Sequence, residues 1–372
     1  MKILHIVGEI DGGGVGSVVL NYMSHIDKKN MEVHILAFEN STKKEQLLQP
    51  KFEENGCKVI YIEHRNKGYI QHFRILKDLI QKEKYDVIHC HFGIWSAPYL
   101  FIALFSGVNV RIAHSHVTMS SYSPSKEKIL KLFYPLLWFT VTDKFSCGRD
   151  AGRYLWGENN DFYIMKNAIE TEEFKYDMET REICRRKLGI GEDTVVIGHV
   201  GRFCYQKNQE FIVDIAERMT KNYHNLLFVL VGDGEKFDYI NEVIRERNLC
   251  DSFMLLGLRN DVNQLLQAFD VFILPSRYEG FPVVAVEAQT SGLHTILSDK
   301  ITREVALLDS TACLDIESGT EPWVQEIEKV LHKEVEINRP SCAEIIKSAG
   351  YDITEESKKL KQYYCAAASK LT

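Results

Sequence analysis

Two series of short apolar runs, each alternating with stretches of helical pattern, are separated by one polar interval. The first series opens with KILHIVG (Lys2–Gly8) and continues through Val33–Phe38, Val59–Ile62, Val87–Cys90, Val110–Ala113, KFSCG (Lys144–Gly148) and FYIMKNAI (Phe162–Ile169). Helical segments such as Ile70–Lys82 and Lys126–Leu137 lie between them. Parallel strands cannot be joined by tight turns and need a crossover, usually a helix, so this alternation predicts a parallel α/β sheet. Glu170–Glu192 is polar, with room for one helix. A second series then follows: VVIGHVGRF (Val195–Phe203), LLFVLVGDG (Leu226–Gly234), FMLLG (Phe253–Gly257), VFILPS (Val271–Ser276) and HTILSD (His294–Asp299). Its helices are expected near Asn208–Met219, Phe237–Arg247, Val262–Ala268 and Val283–Ser291, with a last helix at Glu355–Ser369. The prediction is two α/β domains, 1–170 and 190–350, followed by a C-terminal segment, 351–372. In open sheets of this kind ligands bind beyond the carboxyl ends of the strands, so polar residues just after each strand are the ones to weigh.

The length of 372 residues fits two domains at about 150 residues each. A hydrophobic fraction of 45% against 26% charged residues supports real cores and excludes a disordered chain. The net charge of −7 argues against a general nucleic-acid binder. It is uneven: residues 1–165 hold 20 basic and 17 acidic side chains, the remainder 25 and 35. A mildly basic first half suits an anionic acceptor or a membrane surface, although scatter of surface charge produces the same imbalance. Nine cysteines, with no C-x-x-C and no even count, read as reduced thiols in a cytoplasmic protein. MKILHIVGEID places one lysine before a six-residue apolar run, too little for a signal peptide. Phe92–Val108 (17 residues, interrupted by Pro98) and Leu132–Val141 (ten residues) are short for membrane spans and suit core helices.

The chemistry-bearing patterns follow the strands. Gly12-Gly13-Gly14 with Gly16 stands between the first strand and a helix, where glycines let backbone N–H groups approach a phosphate or sugar. The register is not G-x-G-x-x-G, and Glu39 is the nearest acid to the end of the second strand, so NAD is not supported. VGRFCYQKN supplies Arg202 and Lys207, a guanidinium fork and a point charge suited to a diphosphate. RYEGFPVVAVEAQTSG carries Glu279 and Glu287 in an E-x7-E spacing, with Gly280, Phe281 and Pro282 between them. Pro282 fits the first turn of a helix bearing Glu287, whose N-terminal amides favour an anion. His89 and His91, and likewise His114 and His116, alternate onto one face of their strands. Four histidines can make a zinc site, but no placed acid or cysteine completes one, and no metal is expected.

GEIDGGGVGS, GRFCYQKN, VGDGE and LLGLRNDVNQLLQAFDVFILPSRYEGFPVVAVEA together resemble the retaining glycosyltransferases of family 4 over essentially the whole chain. RIAHSH, TDKFSCG and KNAIETEEF resemble its members that build capsular or extracellular polysaccharides. The resemblance implies the GT-B architecture, two Rossmann-like domains facing a cleft, with the last helix returning to the first domain. It implies metal-independent transfer of a sugar with retention, from a nucleoside diphosphate sugar (UDP preferred over GDP) to a saccharide or a polyprenyl-diphosphate-linked acceptor. Peripheral contact with the cytoplasmic face of a membrane goes with such an acceptor. By the same resemblance Arg202 and Lys207 grip the diphosphate, Glu287 the ribose, and Glu279 the donor sugar. Gly13 and Gly14 close over the sugar phosphate, and the backbone near Leu258 meets the base. One histidine faces the donor; the HSH run leaves His114 and His116 both in play, with His116 preferred. Tyr69, Phe73, Arg74 and Lys77 are candidates for an acceptor lip, or simply an amphipathic helix. Family members commonly carry proline where this chain has His294, so a slightly looser turn is expected there. A GT-B epimerase and a non-catalytic nucleotide-sugar-binding scaffold are the competing readings.

Overall fold

The computed structural model describes residues 1–11, 13–39, 46–118 and 130–369. The chain forms two compact units: residues 1–168 with 352–372, and residues 169–351.

The first unit is built on a seven-stranded sheet. Its strands are β1 (Lys2–Gly8), β2 (Glu32–Phe38), β3 (Lys58–Ile62), β4 (Val87–Cys90), β5 (Val110–Ser115), β6 (Asp143–Ser146) and β7 (Tyr163–Ile164). They run in the order β3-β2-β1-β4-β5-β6-β7, every neighbouring pair parallel. The strand order reverses between β1 and β4, the switch point of a doubly wound sheet. Covered on both faces, the central strands are buried along nearly their whole length, which is why they read as continuous apolar runs.

The apolar stretch at Phe92–Val108 becomes helix Ser96–Phe105, which buries Ala97, Tyr99, Leu100 and Ala103 in the core. Of the helix expected over Lys126–Leu137, residues 126–129 lie outside the described residues and 130–131 are helical; after a turn at 132–133 a helix Tyr134–Thr140 follows, with Pro135 in its first turn. Among the described residues no helix is long and apolar enough to cross a membrane. The last helix, Ile353–Ser369, belongs to this unit and packs on helix Gly14–His25.

The second unit has six parallel strands: β8 (Val195–Val200), β9 (Leu226–Val231), β10 (Phe253–Leu255), β11 (Val271–Leu274), β12 (His294–Ser298) and β13 (Thr311–Leu314). Their order is β10-β9-β8-β11-β12-β13. The sequence pattern omits β13, a four-residue, half-buried edge strand with no long apolar run to mark it.

The polar interval after residue 169 is structural rather than a linker. Helix Met178–Leu188 starts at Asp177, whose carboxylate accepts from Thr180 N (2.7 Å), and its C-cap is Gly189 in the left-handed region. Asp270, just before β11, accepts from Arg181 Nη2 (2.6 Å), Arg185 Nη1 (3.3 Å) and the Val196 amide (2.8 Å). The same arginines donate to the carbonyls of Gln267, Ala268 and Phe269. The segment reads as polar because its cations are used on the carbonyls that end helix Val262–Ala268 and on the carboxylate that precedes β11. His294 is likewise not a loosened turn: it is buried at the start of β12, with Nε2 3.0 Å from Glu326 Oε1. Of the nine cysteines only Cys250 and Cys365 are exposed; Cys57, Cys90, Cys147, Cys184 and Cys342 are buried.

Asp270→Ala would leave two arginines and an amide without their acceptor. We expect a loss of about 3 kcal/mol in the stability of the second unit by urea unfolding, far more than the near-zero effect of breaking the exposed Arg218–Glu321 pair.

Candidate functional site

In the second unit the loops that follow β8, β9, β10 and β11 are laced together. Gly201 N donates to Val231 O (2.9 Å), Phe203 N to Asp233 O (2.9 Å), and Gly232 N to Gly257 O (2.8 Å). Two glycines make this approach possible. A Cβ on Gly232 (φ +135°) would stand 2.1 Å from Gly201 O, and one on Gly234 (φ +154°) 2.4 Å from Phe203 O. The VGDGE motif thus serves the close fit of two loops.

On that platform Lys207 Nζ lies 2.6 Å from Glu279 Oε1, with only 15% and 10% of the two side chains exposed. Gln206 Nε2 donates to Glu279 Oε2 (3.2 Å) and to Tyr278 O (2.9 Å), and Arg277 N donates to Gln206 O (2.8 Å). The structure therefore brings Lys207 and Glu279 together, from loops about 70 residues apart in sequence. Arg202 is not in this pair. Its side chain is 71% exposed and reaches Glu235, at 3.3 Å.

His199, in β8, escapes a motif-based reading because it is one polar residue inside an apolar strand. Its ring stands 3.0 Å from Ile273 O at Nδ1 and 3.2 Å from Gln209 Nε2 at Nε2. The carbonyl can only accept and the amide NH2 only donate, so Nδ1 carries the proton. Burial lowers its pKa to about 4, keeping the ring neutral. Gln209 Nε2 also donates to Arg202 O (2.9 Å), so this hidden ring braces the loop that carries Arg202.

Glu287 lies on helix Val283–Thr290, which no side chain caps and whose first turn holds no acid. Pro282 occupies the N-cap, after Gly280 and Phe281 and one position before the first turn expected for it. Burial raises the Glu287 carboxyl to about 7, with the negative charge of Glu173 acting in the same direction. Phe281 is buried and stacks on Tyr351 (5.4 Å between ring centres), so its ring is committed to packing. Leu258 follows Gly257 at the end of β10 and is 64% exposed.

In the first unit Gly13 is the N-cap of helix Gly14–His25, again without a side-chain cap. No atom lies within 4 Å of where a Cβ would stand on Gly13 or Gly14. Their own fold does not need glycine there; close approach of a ligand to the backbone would. Gly12 lies outside the described residues. Of the acceptor-lip candidates, Tyr69, Arg74 and Lys77 are exposed, whereas Phe73 packs against Tyr99 (5.2 Å).

His114 and His116 belong to a larger group than their HSH spacing reveals. His5 of β1, His89 of β4, His91 just beyond it, and both HSH rings share one face of the sheet, the first four of them buried or nearly so. The rings stack, with centres 3.9 Å apart for His114–His116 and 4.3 Å for His89–His91. His5 was hidden inside an apolar strand, as His199 was. Two triads, His5–His89–His91 and His91–His114–His116, bring ligand-type nitrogens within 4.8 Å of one another. Ring-to-ring hydrogen bonds engage most of those nitrogens.

Two family models match the chain: glycosyltransferase family 4 over residues 12–151, and glycosyl transferases group 1 over residues 180–349. A putative glycosyltransferase of Bacillus subtilis, EpsF, is 29% identical over 99% of this chain and 97% of its own length. An Escherichia coli enzyme described as UDP-Gal:alpha-D-GlcNAc-diphosphoundecaprenol alpha-1,3-galactosyltransferase is 27% identical over 80% of this chain and 79% of its own. Among solved structures, Anabaena HepE in complex with UDP superposes with a TM-score of 0.81 at 17% identity, covering 98% of this chain and all of that one.

The Glu287 carboxyl yields a prediction of definite sign. Below its ordinary pKa of 4.5 it is protonated folded or unfolded and costs nothing. As pH rises from there to about 7, the unfolded chain ionises first and stability falls, reaching the full cost above 7. Glu287→Gln should stabilise the second unit by up to about 3 kcal/mol at pH 8 and by almost nothing at pH 4. Equal effects in urea unfolding at both pH values would show an ordinary carboxylate.

Proposed function

Because the chain belongs to the family 4 glycosyltransferases and has the GT-B fold, we propose that it transfers a sugar from a UDP-sugar, with retention of configuration, to a saccharide or lipid-linked saccharide in the synthesis of a cell-surface polysaccharide. The observation that carries this reading is the Lys207–Glu279 pair, set at the carboxyl ends of β8 and β11 one turn-and-loop away from the uncapped helix that bears Glu287. UDP is favoured because structures of HepE are described with UDP and with UDP-glucose, and because the name of the E. coli relative specifies UDP-Gal. That name also specifies a diphosphoundecaprenol-linked acceptor, which motivates a lipid-linked acceptor here.

The proposed roles follow from the strengths of the resting contacts. The Arg202–Glu235 pair is exposed and worth at most about 1 kcal/mol, so a diphosphate draws Arg202 away at little cost. Lys207 is mostly buried and already oriented by Glu279, so its charge is in place before the donor arrives. Arg202, Lys207 and the amides of helix Val283–Thr290 neutralise the leaving diphosphate, and no metal ion is required by this scheme. Glu287 receives the ribose hydroxyls, Glu279 the donor-sugar side, and the backbone at Leu258 the base. Gly13 and Gly14 approach the sugar phosphate, while His116 hydrogen-bonds a sugar hydroxyl. The acceptor hydroxyl attacks the anomeric carbon from the side the diphosphate leaves, and its proton passes to the departing phosphate oxygen.

A membrane-bound acceptor agrees with the first unit's surface. Phe105 on helix Ser96–Phe105, and Leu132 and Phe139 on or beside helix Tyr134–Thr140, are exposed by 67%, 76% and 67%, with Lys131 exposed among them. The two helices pack on each other. Apolar side chains accompanied by lysine adsorb to anionic lipid, which supports peripheral contact with the cytoplasmic face of a membrane.

A thermal-shift screen of UDP- and GDP-sugars, followed by donor hydrolysis and transfer assays in EDTA, tests the reading. One UDP-sugar should stabilise the protein and be turned over. Arg202→Ala should lower kcat by about 10- to 100-fold, and Glu235→Gln should leave it within about twofold. No stabilisation by any nucleotide in folded protein would favour a scaffold role, and conversion of the sugar without an acceptor would favour an epimerase.

A further inference from the structure

The five histidines of the first unit are joined, ring to ring, through one tyrosine. His116 Nε2 is 2.9 Å from His91 Nδ1, and His91 Nε2 is 3.0 Å from His5 Nδ1. His5 Nε2 is 3.4 Å from Tyr364 Oη, which is 2.7 Å from His89 Nδ1. His89 Nε2 is 3.1 Å from His114 Nδ1. The series ends at His114 Nε2, which is buried and has no partner at hydrogen-bond distance, with the Ser146 backbone beside the ring favouring its protonated form. Its other end is His116 Nδ1, on the one imidazole of the five that is only partly buried. Tyr364 itself is buried and is delivered by the C-terminal helix Ile353–Ser369.

A neutral imidazole has one N–H and one lone pair, and a tyrosine one O–H. With Tyr364 donating its one O–H within the series, six neutral groups in line can satisfy all five links in only two ways. In one, every imidazole carries its proton on Nε2 and each group donates toward His114. In the other, every imidazole carries it on Nδ1 and each group donates toward His116. A mixed arrangement sets two protons, or two lone pairs, face to face at some link, or has the Tyr364 oxygen accept from both His5 and His89 and leaves its buried O–H outside the series, and burial makes each of these costly. Burial also keeps the rings neutral: it lowers His5 and His116 to about 3, and His89, His91 and His114 well below the ordinary value, with the neighbouring imidazoles adding to the effect for the last three. The two arrangements interconvert only if a proton enters at one end and leaves at the other, and the His114 end is closed in the core.

We propose that His116, His91, His5, Tyr364, His89 and His114 form one hydrogen-bonded chain whose shared proton arrangement fixes whether His116 Nδ1 presents a donor or an acceptor at the carboxyl edge of the sheet, and that Tyr364 is thereby a positioning residue for the transfer site. The chain stands on its own geometry; its functional consequence rests on the placement of His116 beside the substrate in the reading above. A sugar hydroxyl both donates and accepts, so a fixed partner fixes the direction of the hydroxyl's own proton and hence its orientation. The last helix acquires a role in the site without any of its residues touching substrate.

Ligand-free protein labelled with 15N-histidine tests the chain, the five resonances being assigned by single His→Gln substitutions. At pH 7.5 all five rings should be neutral and share one tautomer. A charged ring, or two different tautomers within the five, overturns the inference. Tyr364→Phe keeps the ring and removes the hydroxyl that joins His5 to His89. It should change or average the His116 tautomer signal and lower kcat by about tenfold with KM unchanged, read as hydrolysis of UDP-glucose or UDP-galactose, whichever stabilises the protein more. A folded Tyr364→Phe variant with unaltered His116 signals and unaltered kcat overturns it. If that variant does not fold, the wild-type tautomer pattern decides alone. His116→Ala separates the two layers: wild-type turnover in that variant removes His116 from the transfer site and overturns the functional half of the inference, whereas the tautomer pattern is measured without substrate and does not depend on that result.

Discussion

A parallel sheet covered on both faces has little room for chemistry along its strands. Each polar side chain in the interior must bring its partner with it, because an unpaired buried donor or acceptor costs about 1–3 kcal/mol. Chemistry is therefore pushed to the strand ends, where backbone groups are still free to turn and helices present their N-termini. Both units obey this constraint. Lys207 and Glu279 meet beyond β8 and β11, the glycines of VGDGE close the loop after β9, and Gly13 opens the helix after β1. The exceptions are histidines inside strands, and each has found partners: His199 a carbonyl and an amide, His5 and His89 other imidazoles and a tyrosine.

The same constraint explains what could be read from sequence. The strand pattern was legible because burial on both faces forces continuous apolar runs, and it failed at β13, an edge strand under no such pressure. The E-x7-E spacing and the VGRFCYQKN run were legible as motifs, and the pairing of Lys207 with Glu279 gives two of those residues a shared geometry. Arg202 carried the same apparent weight in sequence, yet its resting contact is with Glu235, a residue of a motif noted for its glycines. Local sequence shows which groups follow a strand; which of them meet depends on how neighbouring loops are stitched.

The histidine group shows the limit from the other side. Alternation in IHCHF and IAHSH marked four rings as sharing a face, because period two is a property of a single strand. His5 and Tyr364 could not be added by that rule. One lies on the strand across the topological switch, the other about 360 residues away on the final helix. A chain of donors and acceptors is a tertiary object, and its two allowed proton arrangements exist only when every link is present.

Charge pairs in this protein sort by burial into distinct physical roles. Around Asp270, two arginines and an amide share a carboxylate with side-chain exposures of 9–20%, so loss of any partner strands a charge in the interior, and the segment 169–189 is held to the sheet by that threat. Arg202 and Glu235 are a pair of the same chemical type, 71% and 59% exposed, and water competes for both. A group that must exchange one anionic partner for another during turnover is best kept in the second kind of pair. A group that must hold its direction through turnover is best kept in the first, as Lys207 is with Glu279. On the proposed reading, the phosphate-binding duties of Arg202 and Lys207 would therefore be unequal, with Lys207 fixing the site's geometry and Arg202 closing on the donor once it is present.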